Sequence, residues 1–248
     1  ELRCRGFAAL SLSSEQAAAL EAAQAACAHF FSSAEPDTKQ RCMHRGPPRS
    51  AELPALPLHG LGYVSTPEYG GREQFHAIRG AVELCAWPDE EFREAFEQGT
   101  HVLQRVCLDL LERVDPAAVA EWREQVCDRG DPSVCDAFLY PAGNASSAAT
   151  GMAMGRHFDP GWFTIKRGSR DGGLQVWDRS CEAWADVEGA SFYTGSEGST
   201  EPESALVVFA GERLATWTED VIPAVPHRVR ACAADRLSFI FELRDHVC

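Results

Sequence analysis

The run Gly155-Arg156-His157-Phe158-Asp159-Pro160-Gly161 sets an imidazole and a carboxylate two residues apart. On an extended strand, residues two apart point to the same side, so His157 and Asp159 present their side chains together. Two chemistries are open to such a pair: hydrogen-bonded partners at a strand end, or two ligands of a metal ion. A third candidate ligand lies far downstream, His227 in Val225-Pro226-His227-Arg228-Val229. Two imidazoles and one carboxylate on one face of a metal leave positions open for oxygen and substrate, which suits nonheme Fe(II) chemistry. Zinc tolerates the same three donors.

A second set sits in Asp235-Arg236-Leu237-Ser238-Phe239-Ile240-Phe241-Glu242-Leu243. Its alternation puts Leu237, Phe239, Phe241 and Leu243 on one face and Arg236, Ser238, Ile240 and Glu242 on the other. The apolar face is expected to pack on helices and the mixed face to look inward. An inward guanidinium is costly unless paired. Its partner is either a bound anion, held by a bidentate fork with the Ser238 hydroxyl adding one bond, or an internal Asp or Glu. Glu242 on the same face suits a cationic or hydroxyl-rich substrate, or pairs with Arg156 or Arg244. Phe158, Trp162 and Phe163 are candidates to wall a pocket, or are plain core.

These residues need elements to hold them. Ser13-Ser14-Glu15-Gln16 has the form of a capping box, and Leu20, Ala23, Cys27, Phe30 and Phe31 follow at helical spacing, which predicts a helix over about 14–31. A long helix from Asp89 to about Val114 and a shorter one from Ala117 to Cys127 follow from the same periodicity. Residues 32–70, rich in Pro, Ser and Gly, predict an irregular segment with one short strand around 61–64. After Gly130 the short β-prone runs 134–140, 163–165, 174–177, 205–209, 224–229 and 237–243 predict an antiparallel barrel or sandwich. The Gly/Ser/Glu-rich stretch 188–204 is expected to be a surface loop or lid. One α+β unit is expected over residues 1–248, helical over about 1–130 and a barrel over about 131–245.

Composition narrows the partners. The 248 residues carry 23 Lys and Arg against 37 Asp and Glu, a net charge of −14 that disfavours nucleic acid and anionic membrane surfaces. Lys39 and Lys166 are the only lysines. No apolar stretch reaches the roughly 18 residues of a membrane span, so a cytoplasmic protein is expected, acting as a monomer on a small molecule. The ten cysteines are scattered without a CxxC pair and are expected to be mostly buried free thiols.

The ordered set His157-x-Asp159, Gly173-Leu174-Gln175-Val176, Trp184-x-Asp186-Val187, Leu206-Val207-Val208 with Gly211-Glu212-x-Leu214 and Trp217-Thr218, His227-Arg228-Val229 and Arg236-x-Ser238 resembles the isopenicillin N synthase-like group of 2-oxoglutarate/Fe(II) dioxygenases. The resemblance spans about residues 134–243. Weaker echoes reach upstream at Gly6-Phe7, Phe30-Phe31 with Lys39, and Gly62-Tyr63 with Glu73-x-Phe75. It implies a double-stranded β-helix (jelly-roll) barrel flanked by N-terminal helices. It also implies that His157, Asp159 and His227 bind Fe(II), that Arg236 and Ser238 hold the distal carboxylate of 2-oxoglutarate, and that Tyr140 supports this cosubstrate. The implied reaction couples O2 and decarboxylation of 2-oxoglutarate, releasing succinate and CO2, to hydroxylation, desaturation or cyclisation of a small molecule. An Fe(II) oxidase on the same scaffold without 2-oxoglutarate, and a non-catalytic small-ligand-binding protein, are the alternatives. Against plant members, Phe138 replaces an Asn, Thr218-Glu219-Asp220 replaces a Thr-Asn-Gly turn, 188–204 is longer, and the strand ahead of Gly6-Phe7 is missing.

Overall fold

Ser13 caps the first long helix as its sequence promises: Ser13 Oγ accepts the Gln16 N–H at 3.2 Å, and the Gln16 carboxamide oxygen accepts the Ser13 N–H at 2.9 Å. The computed structural model describes residues 1–43, 60–66, 71–143, 151–167, 172–188 and 205–247. Helix α1 (Leu2–Arg5) is a single turn, after which strand β1 (Phe7–Ser11) leads to α2 (Ser14–Ser33) and α3 (Pro36–Cys42). Strands β2 (Gly62–Thr66) and β3 (Arg72–Ile78) precede α4 (Glu90–Val114) and α5 (Pro116–Arg129). Asp115 ends α4 and starts α5. Its Oδ1 accepts the Ala117 N–H, with Pro116 at the first helical position, where no N–H is needed.

The second half is β4 (Val134–Tyr140), β5 (Met152–His157), β6 (Phe163–Arg167), β7 (Leu174–Asp178), β8 (Ala183–Asp186), β9 (Ala205–Ala210), helix α6 (Glu212–Trp217), β10 (His227–Arg230) and β11 (Arg236–Leu243). Two antiparallel sheets result, one of seven strands in the order β1-β9-β6-β11-β4-β3-β2 and one of four in the order β5-β10-β7-β8.

Strand alternation sorts the side chains of the larger sheet. Phe239, Phe241 and Leu243 of β11 and Phe163 and Ile165 of β6 bury on the helix side, in one cluster with Leu20, Ala23 and Phe30 of α2 and Phe92, Phe96 and Leu103 of α4. The Phe96 and Phe239 rings meet edge to face at 5.1 Å. Gly99 of α4 lets the helices close down: a Cβ there would lie 2.7 Å from the Ala23 Cβ and 3.0 Å from the Phe239 ring. No described helix is long and apolar enough to cross a membrane. Five of the nine described cysteines (27, 42, 85, 107 and 135) are buried.

Several expectations are corrected. The segment 32–70 contains α3, and its residues 44–59 and 67–70 lie outside the described residues. Strands β1, β3, β5 and β8 fall outside the expected β-prone runs. The weak β-formers of β1 are held by pairing with β9, and the Gly-containing β5 by pairing with β10, where His157 stands opposite His227. The expected strand 224–229 begins only at His227, since Pro226 has no N–H to give a ladder. Of the expected 188–204 loop, 189–204 lies outside the described residues. Glu219 and Asp220, which stand where the resembling turn has Asn-Gly, take left-handed φ values of 50° and 61°, a conformation that costs backbone strain in residues with a Cβ. Truncating Phe239 to Ala is expected to cost about 3–5 kcal/mol by opening a cavity between β11 and α4, read as a lower urea midpoint at unchanged m-value.

Candidate active site

His157, Asp159 and His227 converge at the facing ends of β5 and β10, their candidate ligand atoms all within 4.8 Å of one another. Asp159 Oδ1 lies 3.5 Å from His157 Nε2, and its Oδ2 lies 3.6 Å from His227 Nε2. Each imidazole turns its other nitrogen to a backbone carbonyl, His157 Nδ1 to Gly155 at 2.9 Å and His227 Nδ1 to Val225 at 3.3 Å. A carbonyl only accepts, so the proton belongs on Nδ1 and the Nε2 lone pair faces the shared centre. Burial pushes the His227 imidazole below its ordinary pKa, which favours the neutral, ligating form.

The carboxylate is held as firmly. Thr164 Oγ1 donates to Asp159 Oδ2 at 2.5 Å. The turn that follows is clamped from two sides. Glu212 and Arg213, at the start of α6, donate N–H bonds to the carbonyls of Asp159, Pro160 and Gly161. From β11, Leu243 accepts the Trp162 N–H at 2.7 Å and Glu242 Oε1 accepts the Gly161 N–H at 2.7 Å. Gly211 is required by this approach, because a Cβ there would collide with the Gly161 carbonyl. The donor set, two imidazoles and an oriented carboxylate, fits Fe(II).

A cavity of about 160 Å³ opens from this cluster, and its wall includes Tyr140, Arg236, Ser238 and Glu242. A larger open depression of about 920 Å³ between α2 and α4 holds none of the predicted site residues. Arg236 and Tyr140 are cross-strand partners, with the guanidinium 5.4 Å from the centre of the phenol ring. Phe138 also lines the cavity and is opposite Ser238. Its ring carries the Arg72 guanidinium at 5.3 Å.

The structure separates the remaining candidates. Glu242 lines the cavity but is bonded to the Gly161 N–H and, at 2.5 Å, to Arg244, so the internal pairing is the one observed. Burial raises its pKa against the Arg244 guanidinium. Phe158 and Phe163 are corrected as pocket walls. Phe158 is 38% exposed and faces a surface depression beside α6, because the turn after His157 carries it off the sheet. Phe163 is fully buried on the helix side of β6.

Sequence reading missed Thr164 and Lys166, which face the cavity. The signal existed: period-2 alternation along β6 puts both opposite the core residues Phe163 and Ile165. It also missed the internal partner of Arg236. Arg236 Nη2 lies 2.9 and 3.0 Å from the two carboxylate oxygens of Glu188, and its Nε donates to the Gly172 carbonyl at 2.8 Å. Glu188 Oε1 also takes the Lys166 ammonium, and Oε2 accepts the Leu174 N–H at 2.8 Å. Nothing in the spacing of Lys166, Glu188 and Arg236 joins them before β6, β8 and β11 are assembled. Beyond them, Asp136 accepts from Gln74 at 2.7 Å and contacts His76 Nδ1 at 2.6 Å.

Residues 134–245 match the family model of the 2OG-Fe(II) oxygenase superfamily. No curated protein matches the sequence. Among solved structures, dioxygenase for auxin oxidation 1 from Arabidopsis thaliana with 2-oxoglutarate aligns over 98% of this chain and 85% of its own, at 15% identity and TM-score 0.72. A full-length Neurospora crassa protein in complex with alpha-KG aligns over 98% of this chain and 77% of its own, at 18% identity and TM-score 0.72. The same Neurospora crassa protein with alpha-KG and thymine aligns over 98% and 77%, at 17% identity and TM-score 0.69. Replacing Thr164 by Val is expected to lower Fe(II) affinity about 10- to 100-fold by freeing the Asp159 carboxylate, with the fold retained, as read by anaerobic metal titration. The two facing sheets are the jelly-roll of these structures, and residues 134–245 are the part of the chain that matches the 2OG-Fe(II) oxygenase superfamily model.

Proposed function

We propose that His157, Asp159 and His227 hold the Fe(II), that Arg236, Ser238 and Tyr140 receive 2-oxoglutarate, and that the chain oxidises a small molecule entering the same cavity. The observation that carries this reading is the shared wall: the two imidazoles, the carboxylate, the guanidinium and the Ser238 hydroxyl all line one space of about 160 Å³. Bound there, Fe(II) with 2-oxoglutarate supplies the oxidising power drawn from O2, with succinate and CO2 as coproducts. The chain's residues supply orientation. The Gly155 and Val225 carbonyls hold the imidazole tautomers, and Thr164 and the α6 clamp hold the carboxylate. The Arg236 fork and the Ser238 hydroxyl suit the distal carboxylate of the cosubstrate. Tyr140 lends its ring face to the guanidinium.

The thymine bound in the Neurospora crassa structure is a small polar molecule, which supports a small-molecule substrate for this chain as well. Anaerobic addition of Fe(II) and then 2-oxoglutarate tests the reading. A weak visible charge-transfer band that saturates with 2-oxoglutarate is expected, and Arg236→Ala is expected to need at least about tenfold more cosubstrate, the loss of a charge-assisted pair. A wild-type protein that binds Fe(II) but gives no band overturns the reading.

A further inference from the structure

Arg236 is the anchor proposed for the cosubstrate, yet its side chain is 1% exposed and a carboxylate already lies on it. That carboxylate belongs to Glu188, whose side chain is fully buried and which both cations share, Arg236 through Nη2 and Lys166 through Nζ. The arrangement is built rather than incidental. Gly172 and Gly173, at φ 67° and 108°, form the turn that gives the Gly172 carbonyl to Arg236 Nε and the Leu174 N–H to Glu188. A Cβ at Gly173 would stand 3.4 Å from the Arg236 side chain, so this turn lies against the guanidinium itself.

A second carboxylate cannot take the place that Glu188 holds on Arg236 Nη2 and Lys166 Nζ unless the first one leaves. Exchange is the electrostatically conservative route. One carboxylate replaces another on Lys166 and Arg236, both cations stay paired throughout, and the released Glu188 carboxylate regains water. We propose that Glu188 is a tethered internal carboxylate that occupies the cosubstrate's anion subsite, and that 2-oxoglutarate binds by displacing it from Arg236 and Lys166. Glu188 thereby sets cosubstrate affinity, since the chain binds 2-oxoglutarate only in the fraction of molecules whose subsite Glu188 has vacated. The inference rests on the reading of Arg236 as the cosubstrate anchor.

The test compares wild type, Glu188→Gln and Arg236→Ala, each loaded anaerobically with Fe(II) and titrated with 2-oxoglutarate against the charge-transfer band. Glu188→Gln keeps the shape of the side chain and removes its charge, so it is expected to bind 2-oxoglutarate about tenfold or more tightly than wild type, the factor by which a tenth-populated open state lowers affinity. A saturable wild-type band with equal or weaker binding by Glu188→Gln overturns the inference and leaves the proposed function standing, because Glu188 would then only orient Arg236. Fe(II) binding with no band in either protein overturns both. Should the variant fail to fold, the wild-type chain answers by hydrogen exchange at the Leu174 amide, which donates to Glu188. Faster exchange at Leu174 on adding 2-oxoglutarate is expected, and slower or unchanged exchange overturns the proposal.

Discussion

Strand β11 has to serve two solvents at once, and most of the molecule follows from that constraint. Side chains alternate along a strand, so Phe239, Phe241 and Leu243 must find an apolar layer while Arg236, Ser238 and Glu242 must find polar partners on the other side. Helices α2 and α4 supply the first, brought close by Gly99 and the aromatic cluster around Phe96. The cavity supplies the second. Because an unpaired buried charge is so costly, each end of β11 carries its own neutralising partner, Glu188 on Arg236 and Arg244 on Glu242.

The same strand braces the cluster of His157, Asp159 and His227. Glu242 and Leu243 hold the backbone of Gly161 and Trp162, just after Asp159, while the start of α6 holds it from the opposite side. A ligand carboxylate on a free turn would sample many orientations. Here Thr164, Glu242 and the α6 amides leave one. The two histidines face each other as a cross-strand pair, with their Nδ1 atoms tied to carbonyls two residues back in the chain. Much of the precision of the site therefore comes from backbone groups that no residue pattern advertises.

Bulk charge does not describe the cavity. The chain as a whole is strongly acidic, which disfavours polyanionic partners. The cavity wall carries both signs, Lys166, Arg236 and Arg244 with Asp136, Asp159 and Glu242, and Glu188 stands between Lys166 and Arg236. Contacts between individual groups, rather than the bulk field, therefore govern the cavity wall. The difference arises because screening weakens exposed charges within about 10 Å while buried ones act at contact.

The sequence by itself carried the periodic features: helices expected over about 14–31, 89–114 and 117–127, the two faces of 236–243, and His157-x-Asp159 with His227 as candidate ligands. These are legible because helix and strand periods are local properties and because a metal asks for particular atom types. Strands such as Met152–His157 were not legible, since weak β-formers become a strand only when a partner supplies the ladder. Tertiary structure alone decided that Phe163 is core, that Phe158 leaves the pocket, and that Glu188 covers Arg236. The spacing of 22 residues between Lys166 and Glu188 and 48 between Glu188 and Arg236 carries no period, and only sheet assembly turns it into contact.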